Sequence, residues 1–260
     1  MVQFKGKVVI KITEVKIYNQ TEELHVHNKS AILHPMAEIP HIIKYMGSKR
    51  SIVDYVVEGI NDVYTGGQIV DLFSGSAVLS GALRGQVPIL SNDIQRYSSV
   101  LSNTYLRSYD WSSYETIRNE IVEKAYGKVN KIHNAFPELN YIYEKEMALE
   151  QFNKVEKEQQ ELINYDFSFD EYHLFKKYYS GTYWSYEQCV WIDAIREIAD
   201  DYKNYNIYYP ILSSLMFAMS YNSQSTGHYA QFRDASNESS MKDIMIYRNK
   251  DILSYFFKEV

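Results

Sequence analysis

A short apolar strand that ends in an acid and breaks into a glycine turn constrains this chain more than any other stretch. Residues 69–83 read IVDLFSGSAVLSGAL and residues 89–94 read ILSNDI. The spacing predicts a buried strand over 68–73, a helix over 76–83 and a second strand over 87–92. Strand, helix and strand in that order form a β-α-β unit, the opening of a doubly wound α/β sheet. Gly75 lets the backbone turn sharply at the helix start and come close to a ligand. Asp93 follows Asp71 by 22 residues. An acid at that distance from such a turn is placed to accept hydrogen bonds from ribose hydroxyls. Taken alone, such an acid more often caps the next helix, and lysines beside a glycine, as in the upstream HIIKYMGSK of 41–49, usually form a solvated turn.

The rest of the chain alternates between simple patterns. Val8, Ile10 and Ile12, then Val15 and Ile17, keep a period of two, which predicts a strand or hairpin within 4–18. Residues 51–63 and 97–125 have helical spacing. From 120 to 174 the chain is rich in Glu, Lys and Gln, with apolar residues at helical intervals, so a long helical insertion with a solvated face is expected. A loop and amphipathic helix follow over 181–202, and a buried helix begins near Pro210. Residues 237–240 read as a polar loop, 244–247 as a third strand and 252–257 as a final helix. The expected organisation is an accessory β-rich segment over 1–40 and the first part of the core over 41–110. A mostly helical insertion follows over 111–240, and the chain returns to the core sheet over 241–260.

Composition narrows the partners. The chain of 260 residues is 45% hydrophobic, enough for a sizeable core, and has no apolar run long enough to span a membrane. A single cysteine, Cys189, rules out an internal disulfide and fits a reducing cytoplasm. Net charge is −6, unevenly divided: residues 1–110 hold 11 basic and 10 acidic residues, and 111–260 hold 16 and 23. A protein that grips DNA unaided needs clustered Lys and Arg, so any DNA contact here is local or shared with a partner. The 25 tyrosines could stack on bases, but core packing and genome composition explain them more cheaply.

Taken together, K-Y-M-G-S-K, then D-L-F-S-G-S, then N-D resemble, in order, the cofactor-binding motifs of the DNA adenine-specific (N6-adenine) methyltransferases. GTYWS at 181–185, WIDAIR at 191–196, ILSSLMFA at 211–218 and NSQSTGHYAQFRD at 222–234 extend the resemblance to about residue 250. The resemblance implies a Rossmann-like fold that binds S-adenosyl-L-methionine. The cofactor wall would be Lys44, Tyr45, Met46, Gly47 and Lys49 from the first motif, the lysines facing the carboxylate of its amino-acid end. Asp71, Phe73, Ser74, Gly75 and Ser76 come from the second, Asp93 and Ile94 from the third. It also implies that Asn222, Ser223, Thr226, Gly227, His228, Gln231 and Arg233 lie in or beside a region facing double-stranded DNA. For His228 a loop histidine satisfied by backbone, and for Arg233 an ion pair with Asp234, are the plain structural alternatives. No metal is implied.

Members of that family carry a catalytic Asp-Pro-Pro-Tyr-type tetrapeptide after these motifs. Here Pro35, Pro40, Pro88, Pro137 and Pro210 are all isolated from one another. SYDW at 108–111 and NYDF at 164–167 have an acid and aromatic residues but no rigid prolines. The resemblance thus implies a split enzyme: this chain as amino-terminal subunit with no catalytic residue of its own, and a second methyltransferase subunit supplying the tetrapeptide and completing the sheet. The alternative is a catalytically inactive DNA-recognition or regulatory module. A cytosine amine, methylated by similar chemistry, remains open as target.

Overall fold

Pro88 holds the first hydrogen bond of the sheet: its carbonyl accepts the Ile69 N–H at 2.9 Å. In this computed structural model, which describes residues 32–36, 38–45, 47–225, 229 and 231–258, two strands follow from that bond. Strand β1 (Ile69–Asp71) and strand β2 (Ile89–Ser91) run parallel, with Ile69 opposite Ile89, Val70 opposite Leu90 and Asp71 opposite Ser91. The expected strand at 4–18 lies outside the described residues.

A parallel pair needs a crossover, here the five-residue helix α2 (Val78–Ala82). Before β1 a 3-10 turn, Lys49–Ile52, runs into α1 (Val53–Val63); after β2 comes α3 (Arg96–Leu106). Val57 of α1, Val78, Leu79 and Ala82 of α2, and Leu101 of α3 pack with Ile89 in one core, against which Ile69 also lies. Side chains alternate across a strand, so Val70 and Leu90 point to the opposite face. They are 49% and 36% exposed. Among the described residues the sheet therefore has one face covered by helices and one face open.

The remaining helices are α4 (Tyr114–Ala135), α5 (Leu149–Gln160), α6 (Leu174–Tyr178), α7 (Tyr186–Asp200), α8 (Tyr208–Asn222), α9 (Glu238–Arg248) and α10 (Ile252–Phe256). Helix α8 is apolar nearly all round, as befits a helix buried between two layers. Phe217 enters the sheet core, while Ile211, Leu215 and Ala218 join a second core with α4, α7 and α10. It thereby fixes the helical part against the sheet. Helix α7 begins with a capping box: Ser185 Oγ accepts from Gln188 N–H and Gln188 Oε1 accepts from Ser185 N–H. The same Gln188 amide donates to the carbonyls of Tyr247 and Lys250, pinning the corner between α9 and α10.

Four expectations are corrected. Residues 244–247 are not a third strand; they lie inside α9, and 237–240 is not a loop but its cap and first turn, with Asn237 Oδ1 accepting from Ser240 N–H at 2.9 Å. Residues 241–260 thus do not return to the sheet: their described part is helical. Residues 97–125 form two helices, separated at 107–113, where Asp110 Oδ1 accepts from Ser112 N–H in an Asx turn. Among the described residues no helix is long and apolar enough to cross a membrane.

Candidate functional site

The carboxyl ends of β1 and β2 are laced together through Asn92. Its backbone N–H donates to Asp71 O at 2.8 Å, its side-chain amide to Leu72 O at 2.9 Å, and its carbonyl accepts from Ser74 N–H at 3.0 Å. The turn that leaves β1 is thereby held open over the end of β2. Gly75 has a left-handed backbone, φ +53°, and donates its N–H to Asp93 Oδ2 at 2.8 Å. Asp93 Oδ1 accepts from Gln95 N–H at 2.9 Å, so the acid both braces the glycine turn and starts α3. Each of its oxygens keeps a lone pair. Ala77 is also left-handed, φ +57°, although it carries a β-carbon.

The 41–49 loop closes over this turn. Lys49 Nζ donates to Phe73 O at 2.6 Å and lies 3.2 Å from Asp71 Oδ1. Ser48 Oγ and Ser76 Oγ share a hydrogen bond of 3.1 Å. The Tyr45 ring covers Gly75 so closely that a β-carbon there would lie 3.1 Å from its Cε1. Gly47 turns the loop with φ +78°. Lys44 diverges: its N–H donates to Ser220 Oγ at 3.0 Å, and its ammonium lies 5.0 Å from the centre of the Tyr221 ring. The structure brings together Tyr45, Lys49, Asp71, Phe73, Ser74, Gly75, Ser76 and Asp93, sets Lys44 at the margin, and leaves Met46 outside the described residues.

Three observations suit this turn to the cofactor implied by the resemblance. Asp71 Oδ2 is buried without a hydrogen-bond partner, and a buried carboxylate oxygen calls for a donor such as the ammonium of an amino acid. Asp93 offers free lone pairs to ribose hydroxyls. Phe73 and Ile94, 79% and 95% exposed at the strand ends, are large apolar side chains in water, a surface suited to an aromatic ring. The donor and acceptor set fits S-adenosylmethionine.

Within 222–234, Ser225 and Phe232 form an isolated antiparallel bridge. Asn222 is fully buried at the end of α8, its amide donating to Ala218 O at 2.7 Å, and Ser223 is buried beside it. Gln231 is exposed; Arg233 is half-buried, with Nε unpartnered. Thr226, Gly227 and His228 lie outside the described residues. Sequence reasoning missed the residue that organises this loop. Gln224, fully buried, accepts from Arg233 N–H at 3.2 Å and donates to the Arg233 carbonyl. Its own N–H donates to Tyr183 O, and Tyr183 Oη donates to Tyr229 O at 2.9 Å. The GTYWS stretch is thus the seat of the loop. The motif order held that signal, but no local pattern in Gln224 did.

Buried charges anchor the seat from behind. Arg248 of α9 is paired in two places with Glu156 of α5 and donates to Thr182 O at 2.8 Å. Lys176 of α6 is buried against Asp170, at 2.6 Å, and Asp193, at 3.5 Å. Asp193, within WIDAIR, also accepts the N–H groups of Phe175 and Lys176, so it caps α6. Among the described residues no group of acids, histidines and cysteine could hold a metal ion.

No curated protein and no solved structure matches the chain. A family model, however, spans residues 45–258, from Tyr45 over the glycine turn to Lys258 beyond α10, and so covers the turn, the loop and its seat alike. The chain belongs to the D12 class N6 adenine-specific DNA methyltransferases.

Proposed function

We propose that this chain is the cofactor-binding subunit of a split DNA adenine methyltransferase. The observation that carries this reading is a sheet of two strands among the described residues, beside the glycine turn that fits the cofactor. Ile69 N–H and Asp71 O both face β2, so the Val70 N–H and C=O face away from it, along an edge where Val70, Leu72 and Phe73 are exposed. Two strands alone make a marginal sheet, and an apolar edge that is free among the described residues recruits another strand. Residues 1–260 contain no two adjacent prolines, hence no Asp-Pro-Pro-Tyr-type tetrapeptide. The catalytic group therefore comes from sequence outside them. A second polypeptide that adds a strand to β1 and carries the tetrapeptide meets both needs.

In this mechanism S-adenosylmethionine, when bound, supplies the electrophilic methyl group. Asp71 receives the ammonium of its amino-acid end, with Lys49 holding the carboxylate of Asp71 in place. Asp93 accepts from the ribose, and Phe73 and Ile94 shelter the adenine from water. Positioning of this kind raises the rate by fixing the approach of two reactants. The partner's tetrapeptide receives the target adenine, flipped out of duplex DNA, and stabilises charge on its amine. The loop seated on Tyr183 and Gln224 faces the DNA.

Transfer of labelled methyl from S-adenosylmethionine to DNA tests this directly. Activity is expected only when the chain is mixed with a polypeptide carrying the tetrapeptide and encoded beside it. Asp93→Ala here, or loss of the partner's acid, abolishes it. Turnover by the chain alone, or silence from a verified folded pair on varied DNA, overturns the reading.

A further inference from the structure

We propose that Lys44, Lys250 and Lys258 form a phosphodiester-binding cluster that seats the DNA backbone between the cofactor turn and the 222–234 loop. The inference rests on the DNA-methylation reading above. Its basis is a lattice of lysines and tyrosines from three separate elements. Lys44 Nζ lies 5.0 Å from the Tyr221 ring centre. Lys250 Nζ donates to the carbonyl of that same tyrosine at 2.9 Å, and lies 4.3 Å from the Tyr247 ring and 5.4 Å from the Tyr255 ring. Lys258 Nζ is 5.1 Å from the Tyr255 ring, so one ring serves two ammonium groups. Aromatic faces hold cations in place without neutralising them.

Lys44 and Lys250 are half-buried, yet among the described residues none of the three is ion-paired. By contrast Lys49, Lys128 and Lys176 each meet a carboxylate. Burial pulls the Lys250 ammonium below its usual pKa, and the charges of Lys44 and Lys258 add to the effect. Repulsion of the Lys250 ammonium by Lys44 on one side and Lys258 on the other is relieved by an oxyanion. The location selects which one. Lys44 precedes Tyr45, whose ring covers Gly75, and Tyr221 precedes Asn222, where the loop starts. A phosphate held here lies between the methyl source and the DNA-facing loop, and two of its three lysines come from the half of the chain, 111–260, otherwise too acidic to grip a duplex.

Anisotropy of a labelled duplex, titrated with the assembled enzyme from about 50 to 200 mM salt, tests the cluster. Lys258→Gln changes an exposed residue, and Lys250→Gln keeps a donor for the Tyr221 carbonyl; thermal melts check that both fold. Each is expected to make the slope of log K against log salt shallower by about 0.9, with cofactor affinity by calorimetry unchanged. Unaltered slopes overturn the proposal. So does a drop in cofactor affinity at constant slope, which assigns the anion to the cofactor's carboxylate. If the wild type shows no salt-dependent DNA affinity at all, the DNA-methylation reading fails with it.

Discussion

Asp71 is the residue on which the fold and the proposed cofactor site make a joint demand. Its Oδ1 lies 3.2 Å from the Lys49 ammonium, while its buried Oδ2 has no partner. An unpaired buried acceptor costs about 1–3 kcal/mol, a cost that a bound ammonium removes. Asp71→Asn keeps the shape and deletes the charge. Cofactor affinity measured by calorimetry is expected to fall about tenfold to a hundredfold, the worth of a hydrogen bond between charged groups. Stability should change by less than about 1 kcal/mol, because Lys49 is 34% exposed and can turn to water. Equal affinity in the two proteins would show that the orphaned oxygen does not face the cofactor.

Helix α5 and the 181–185 turn meet at Gly181, where an element-level contact depends on the absence of a side chain. Gly181 has φ +68°, and a β-carbon there would lie 2.3 Å from Glu156 O and 2.9 Å from Gln159 Cβ. Backbone and helix would both have to move. Gly181→Ala is expected to cost about 3 kcal/mol from overpacking and left-handed strain together, read as a lower urea midpoint at constant slope. A shift of only a few tenths would mean that the turn does not sit against α5. The same contact shows where sequence was legible and where it was not. The β-α-β unit could be read because its strand, glycine turn and helix signals are local. The apolar run at 244–247 fits a strand and a buried helix equally. What decides it is Arg248, whose partner Glu156 lies 92 residues away in sequence. Glu156, within the 120–174 stretch, reads as a solvated charge for the same reason: a buried ion pair looks like surface until both partners are placed. Gln224 was missed because its partners at Arg233 and Tyr183 belong to another part of the loop and to a distant turn.

Across the whole molecule, the sheet is where the fold and the proposed function make opposite demands. A cofactor turn must be rigid, yet the strand that carries it is hydrogen-bonded on one side only among the described residues. Helices α1 to α3 cover the Ile69 face, while Val70 and Leu90 stand on the other. Strand alternation turns the Val70 amide away from β2, since Ile69 N–H and Asp71 O already face it. That amide therefore reports on whatever completes the sheet. In the isolated chain it is expected to exchange with solvent as fast as loop amides, while Ile69, bonded to Pro88, is protected. Adding the tetrapeptide-bearing polypeptide should bring Val70 to the protection of a central strand. Val70→Lys should weaken assembly and leave the isolated chain's stability within about 0.5 kcal/mol, as for other exposed positions. A Val70 amide already protected in the chain alone would give the opposite answer: the edge is filled from within residues 1–260, and a partner that brings the tetrapeptide must dock elsewhere.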